Sequence, residues 1–248
     1  MSNVIYVTGD MHGDPQRFSE RALRRLRAED TLLILGDFGF VWQGGEEEER
    51  ALDMIGARRY QVLFLPGAHE NYSLLEQYPI VSFAGGRARQ LRQRLYMLLP
   101  GEIYELEGQK IFALGGGQSE DVELRQEGKS WWPQELPSAQ TLEAAAKNLA
   151  EKGPADFILT HEAPQKLRTA ILMREEEPNR LGVFLDRVME REPYQKWYFG
   201  CYHIDRKVTR KHFAVYRQVL RLQEPERRGV LLGCFIAEEG RARQGLVL

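Results

Sequence analysis

Five histidines, His12, His69, His161, His203 and His212, are the first residues of this chain with chemistry to offer. Four of them fall within a few residues of the end of a short apolar run. Val4-Ile5-Tyr6-Val7 leads into Thr8-Gly9-Asp10-Met11-His12, and Leu32-Leu33-Ile34-Leu35 leads into Gly36-Asp37. Val62-Leu63-Phe64-Leu65 leads into Pro66-Gly67-Ala68-His69-Glu70, Phe157-Ile158-Leu159 into Thr160-His161, and Trp197-Tyr198-Phe199 into Gly200-Cys201-Tyr202-His203. Carboxylates and imidazoles gathered at one edge form a donor set for divalent ions such as Mn²⁺, Fe²⁺ or Zn²⁺. Each feature alone is an ordinary loop residue. Their recurrence at the end of successive runs is what argues for a metal site. His212 lies outside this pattern and is read as structural.

The runs that must position these residues have the length and the β-branched or aromatic content of buried strands. Their unbroken apolar character indicates strands covered on both faces, as in α/β sheets, where ligands bind at the C-terminal edge. Helical segments alternate with them. Asp14 with Pro15 opens one expected through about Arg27. Glu46 to Glu49 suit the first turn of another. Ser138 caps a third through Lys152, closed by Gly153, and a fourth runs from Asn179 to about Arg191. This alternation predicts an α/β fold. Val208 to Leu222 reads as strand around a turn. Gln118 to Pro137 reads as an irregular insertion beside a site. Residues 1–222 are expected to form one domain, with 223–248 an extension packed on it in which Val230 to Ile236 is a further strand.

The 248 residues are 43% hydrophobic and 28% charged, which suits a globular chain and argues against disorder. A formal charge of −2 gives no broad nucleic-acid-coating surface. Two cysteines, Cys201 and Cys234, cannot build a disulfide framework, and the N-terminus lacks the pattern of a signal peptide. A cytoplasmic setting and no membrane segment are expected.

The ordered set Gly9-Asp10-Met11-His12-Gly13-Asp14, Gly36-Asp37-Phe38-Gly39, Gly67-Ala68-His69-Glu70, Thr160-His161 and Gly200-Cys201-Tyr202-His203 resembles the five motifs of the calcineurin-like metallophosphoesterases. Gly115-Gly116-Gly117 and Ser130-Trp131-Trp132-Pro133 resemble a bacterial protein-phosphatase-like subgroup. The resemblance implies a four-layer sandwich of two mixed β-sheets flanked by helices, and two metal ions bridged by a carboxylate. On that pattern Asp10, His12 and His203 hold the first ion, Asp37 bridges both, and His161 holds the second. His69 then stands as a catalytic group that donates a proton to the leaving group or stabilises the transition state.

The sequence departs from that pattern twice. The family's Asn in the third motif is Ala68, and the first His of the fifth is Cys201; both belong to the second ion. Cys201 is a candidate thiolate ligand suited to Zn²⁺ more than Mn²⁺, and Asn71 or Glu70 are possible substitutes for the missing Asn. The resemblance therefore implies a phosphoric ester hydrolase using one or two divalent ions on phosphomonoesters or phosphodiesters. The alternative is a degenerate relative that binds metal or phosphate as a regulatory module. The partner is a phosphorylated substrate of undetermined class. Trp42, Trp131 and Trp132 either stack a substrate ring or pack the insertion. Arg87, Arg89, Arg92 and Arg94, in an expected helical stretch after Gly85-Gly86, either attract a polyanion such as nucleic acid or form a solvated face.

Overall fold

A computed structural model describes residues 3–119, 121–174 and 177–223. The expected packing of 223–248, and the strand at Val230 to Ile236, therefore lie outside the described residues except for Gln223. The elements in chain order begin with β1 (Ile5–Thr8), α1 (Arg21–Arg24), β2 (Thr31–Ile34), α2 (Glu46–Gly56), β3 (Gln61–Phe64), α3 (Tyr72–Leu75), β4 (Ile80–Phe83), β5 (Gly86–Arg92) and β6 (Leu95–Leu98). They continue with β7 (Glu102–Leu106), β8 (Gln109–Leu114), α4 (Ala139–Lys152), β9 (Phe157–Thr160), α5 (Gln165–Leu172), α6 (Arg180–Arg191), β10 (Lys196–Phe199), β11 (Arg206–Lys207), β12 (His212–Ala214) and β13 (Leu220–Arg221).

Two mixed sheets result. One has the order β13-β1-β2-β3-β6-β5-β4 and the other β11-β12-β10-β9-β8-β7. The two parallel cores, β1-β2-β3-β6 and β8-β9-β10-β12, are built from the apolar runs. Alternate residues explain why those runs are continuous. Val7, Leu33, Leu63, Ile111, Phe157 and Tyr198 point into a core between the sheets. Their neighbours Leu32, Ile34 and Phe64 pack under Leu52 and Ile55 of α2. Phe112, Ile158, Trp197 and Phe199 pack under Leu142, Leu149, Leu181 and Leu185 of α4 and α6. Burial on both faces leaves no polar position along a strand, and the helices close a four-layer α/β sandwich.

Several helices are started by local side-chain caps, of which Asp14 and Ser138 are read from sequence. Ser138 accepts from Thr141 N at 3.1 Å to start α4, and Asn179 accepts from Gly182 N at 2.7 Å to start α6. Asp14 also caps, accepting from Gln16 N at 2.8 Å. The chain beyond Asp14 is not the single helix expected to Arg27. A 3₁₀ turn, Pro15–Ser19, ends at Glu20, which is extended at φ −60°, ψ 144°. Phe18 and Leu23 bury on either side of that break, which a continuous helix would not place on the same core.

The stretch after Gly85-Gly86 is strand, not helix. β4 to β6 form an antiparallel meander in which Ala88 packs into the core between the sheets and Leu91, at a shift in register, into the core under α2. Pairing with β4 and β6 and burial of its apolar residues override the helical tendency of its arginines. Those arginines are also spent. Arg87 pairs with Glu102, Arg89 donates to the carbonyls of Glu76 and Tyr78, Arg92 pairs with Glu49 and Asp53, and Arg94 donates to the carbonyls of Arg58 and Arg59. Among the described residues no helix is long and apolar enough to cross a membrane.

Candidate metal centre

The loops that leave β1, β2, β3, β9 and β10 meet at the C-terminal edge of both sheets. The first is laid on the second: Met11 N and His12 N both donate to Asp37 O, at 3.0 and 2.8 Å. Four of the residues named from sequence adopt the left-handed region, His12 (φ 48°), Asp37 (φ 43°), Cys201 (φ 70°) and His203 (φ 50°). Such conformations cost about 1–3 kcal/mol each and persist where surrounding structure enforces them. Their concentration at one edge marks the loops as shaped for side-chain convergence rather than for local stability.

Two glycines show how tightly the donors are held. A Cβ on Gly67 would sit 2.1 Å from Asp37 Oδ1, and one on Gly36 would sit 2.0 Å from His161 Nδ1. The backbone itself forms the wall against which these groups rest.

Donor atoms of Asp10, His12 and His203 lie within 4.8 Å of one another, as do those of His12, Asp37 and His69. His12 Nε2 and His203 Nε2 face each other at 2.9 Å, and His203 Nε2 is 3.2 Å from Asp10 Oδ2. His161 Nδ1 donates to Leu35 O at 2.9 Å, which turns Nε2 toward Asp37 Oδ1 at 3.4 Å. Asp10 Oδ2 and His161 Nε2 are buried without a hydrogen-bond partner among the described residues. Buried orphan atoms of this kind carry a large desolvation cost, which a cation between them would offset. The donor set therefore fits a divalent ion.

The field in the cluster favours positive charge. Burial pushes Asp37 up, but His161 and then His69 hold its carboxyl well below the usual range. Burial opposes a charge on His161, yet Asp37, Cys201 and Asp10 raise its pKa well above the ordinary value. His203 is raised chiefly by the adjacent Asp10 carboxylate, whereas burial lowers His12. Either protons or an ion must balance the two carboxylates.

Cys201 is also at the edge, its N–H donating to Asp10 Oδ1 at 3.1 Å. Burial raises its thiol pKa, so the neutral thiol is the resting form. Among the described residues the compact donor groups include neither Cys201 nor His161. The substitutes considered for the missing Asn are engaged elsewhere. Asn71 caps α3, accepting from Leu74 N at 3.0 Å, and donates to Trp42 O. Glu70, fully buried, accepts from Phe38 N at 2.6 Å and Gly39 N at 3.3 Å, and burial followed by the nearby Asp37 pushes it up to about 8.

His69 has a defined tautomer. Arg125 Nη2 lies 3.2 Å from His69 Nε2, and a guanidinium has no acceptor, so Nε2 accepts. The ring proton is then on Nδ1 and is donated to Asp37 Oδ2 at 2.8 Å. His69 can hand a proton to a leaving group from Nε2 only after taking one up there.

Beside His12 and His69 opens a cavity of about 620 Å³ walled by Phe40, Trp42, Gly44, Gly45 and the start of α2. Glu48 accepts from the N–H groups of Trp42, Gln43 and Gly44, so the acidic run expected to favour a helix start also folds the pocket wall. Trp42 lines that cavity. Trp132 instead is buried, its Nε1 donating to Ser73 Oγ at 2.9 Å, and Trp131 Nε1 donates to Glu135 Oε1 at 2.8 Å. Those two pack the insertion.

Sequence reasoning passed over three supports. Arg17, buried by the break after Ser19, donates to Asp10 O at 3.0 Å and to Tyr216 O at 3.1 Å. Glu162 accepts from Gln118 N, Arg168 and Asn179, tying the insertion to α5 and α6. Arg125 is the third. Of these only Glu162, adjacent to His161, carried a positional signal.

The Mycobacterium tuberculosis phosphopantetheinyl hydrolase is similar at 12% identity and TM-score 0.46, covering 92% of this chain and 99% of its own. A putative 5'-nucleotidase from Staphylococcus aureus is similar at 17% identity and TM-score 0.46, over 87% of this chain and 49% of its own. A calcineurin-like phosphoesterase from Bacillus subtilis is similar at 14% identity and TM-score 0.43, over 90% and 85%. Among curated proteins none matches in sequence. A family model described as calcineurin-like phosphoesterase matches residues 4–216, from the strand before Asp10 to beyond His203. The chain belongs to the calcineurin-like phosphoesterase family.

Proposed function

We propose that this chain hydrolyses phosphomonoesters or phosphodiesters with a divalent ion held by Asp10, His12, Asp37 and His203, and with a second, weaker position at Asp37, His161 and Cys201. The observation that carries this reading is the pairing of a compact Asp10–His12–His203 donor group with an orphaned, buried Asp10 Oδ2. When bound, divalent ions supply Lewis acidity that lowers the pKa of a coordinated water to about 7 and neutralise phosphoryl charge.

The chain's own residues do the rest. Asp37 is oriented by His69 from two directions and stays ionised in its field. The cavity beside His12 and His69 has room for the esterified alcohol. His69 lines that cavity, and its Nε2, once protonated, serves as the proton-transfer atom, a contribution of about 10²–10⁴-fold. Ala68 and Cys201 weaken the second position: Ala68 offers no donor, and the thiol must lose its proton in a buried place to ligate.

The test is turnover of a phosphomonoester and phosphodiester panel by protein supplied with Mn²⁺, Fe²⁺ or Zn²⁺, with and without chelator. Hydrolysis abolished by chelator and by Asp10→Asn is expected. A chain that binds metal and phosphate yet turns over nothing in the panel would instead support the regulatory-module reading.

A further inference from the structure

Gln118 to Pro137 interrupts the run of motifs between β8 and α4, and it is a built structure. Glu135, buried at its far end, accepts from Ser119 N at 2.8 Å, Ser119 Oγ at 3.0 Å and Trp131 Nε1 at 2.8 Å, closing the segment on itself. Trp132 anchors it to Ser73 of α3, and Glu162 anchors its start through Gln118 N. Gly128 N donates to Trp131 O, and Gln126 N donates to Ser130 Oγ, folding the tip. At the point where this scaffold meets the metal centre stands Arg125.

Three nitrogens of the guanidinium have one acceptor each. Nε donates to Asp121 Oδ1 at 2.7 Å, Nη1 to Ser130 O at 3.2 Å, and Nη2 to His69 Nε2 at 3.2 Å. Those contacts use three of the five N–H donors a guanidinium carries, and the side chain is 16% exposed. Arg17 also touches the centre, but it is buried and spent on carbonyls, Thr8 and Glu20. The four surface arginines of β5 and its neighbouring turn are committed to carboxylates and carbonyls. A guanidinium fixed in orientation with donors to spare, against the His69 ring of the candidate ion site, has the chemistry of an oxyanion clamp.

We propose that Arg125 is a substrate-binding residue that takes a phosphoryl oxygen of the ester, and that the insertion exists at this site to present it. The inference rests on the phosphoesterase reading. His69 Nε2 is a neutral acceptor for Nη2; a phosphoryl oxygen is a charged one, and charge-assisted hydrogen bonds are roughly twice as strong as neutral ones. Substrate therefore displaces Nη2 from His69, which frees Nε2 to take up a solvent proton and pass it to the leaving alkoxide. Asp121 and Ser130 hold the rest of the fork in place meanwhile.

The experiment titrates inorganic phosphate into Mn²⁺-loaded protein by calorimetry, with Mn²⁺ stoichiometry measured in parallel, for the wild type, Arg125→Gln, Arg125→Lys and Arg87→Gln. Arg125→Gln is expected to weaken phosphate binding at least about tenfold with Mn²⁺ content unchanged, and to raise KM for a phosphomonoester. Arg125→Lys, which keeps the charge but not the fork, is expected to lose at least about fivefold, and it decides the matter if the Gln variant misfolds. Arg87→Gln removes an arginine committed to Glu102 and is expected to bind phosphate within about threefold of wild type. Phosphate binding by a folded Arg125→Gln or Arg125→Lys within twofold of wild type would overturn the inference, as would an Arg87→Gln loss equal to that of Arg125→Gln. A wild type that hydrolyses esters while its Arg125 variants behave identically sinks this inference alone. A wild type that loads Mn²⁺ but neither binds phosphate nor hydrolyses esters sinks the phosphoesterase reading with it.

Discussion

Asp37 is tied to His69 twice: the His69 backbone N–H donates to Oδ1 and the ring Nδ1–H donates to Oδ2, both at 2.8 Å. The loop after β3 thus sets the plane of a carboxylate that belongs to the loop after β2. Asp37→Asn removes the charge and sets an amide N–H against one of these donors. Ion content measured after dialysis is expected to fall by more than about 100-fold in affinity, the upper end of what outer-shell changes alone achieve. Ion content equal to wild type would remove Asp37 from the site.

Gly67 tests the same geometry without touching a donor atom. The Cβ of Gly67→Ala would meet Asp37 Oδ1 at 2.1 Å. The carboxylate must move, and overpacking of this kind costs about 1–3 kcal/mol. The expected outcome is a folded chain with a lower Tm and ion affinity reduced about tenfold or more. A variant with wild-type ion binding would show that the Asp37 plane is not decisive.

The second position should respond to restoring its donors. Ala68→Asn with Cys201→His supplies two ligand side chains where the present chain has none and a buried thiol of raised pKa. Elemental analysis is expected to show Mn²⁺ occupancy rising from near one towards two per chain, with faster turnover. Cys201→Ser alone should lower Zn²⁺ content while leaving the first ion in place. Two firmly held Mn²⁺ ions in the unaltered chain would contradict this account.

His212 sets a pH dependence of stability that does not involve the candidate metal ligands. It is buried, its ring nitrogens meeting Tyr194 Oη at 3.0 Å and Thr209 Oγ1 at 2.6 Å. Burial, aided by Lys211, lowers its pKa to about 4 from the ordinary 6.5. The folded state thus prefers the neutral ring. Its contribution is fully present above pH 6.5 and is lost as pH falls towards 4, because the unfolded chain takes up the proton first. With solvent screening included, the effect is on the order of 2 kcal/mol. Urea unfolding at successive pH values is expected to show His212→Gln with a shallower loss of stability between pH 6.5 and 4 than wild type. Identical slopes would show that other groups set the acid limit.

Much of this could be read from residues alone. Continuous apolar runs ending in Asp or His predict doubly covered strands with ligands at one edge, because only a strand buried on both faces dispenses with polar positions. The caps at Asp14 and Ser138 were equally legible, since capping is settled within three residues. The β4 to β6 meander was not: its arginines favour helix locally, and only the sheet edge formed by β6 makes a strand the better partner. Nor was the first helix, broken at Glu20 so that Phe18 and Leu23 share one core. Which donors meet was decided by tertiary structure, through left-handed turns and glycine walls that bring loops from both sheets within 4.8 Å. Arg125 is the plainest case. In sequence it lies 56 positions from His69 with no motif around it, and long-range packing of the insertion through Trp132, Glu135 and Glu162 alone puts it against that ring.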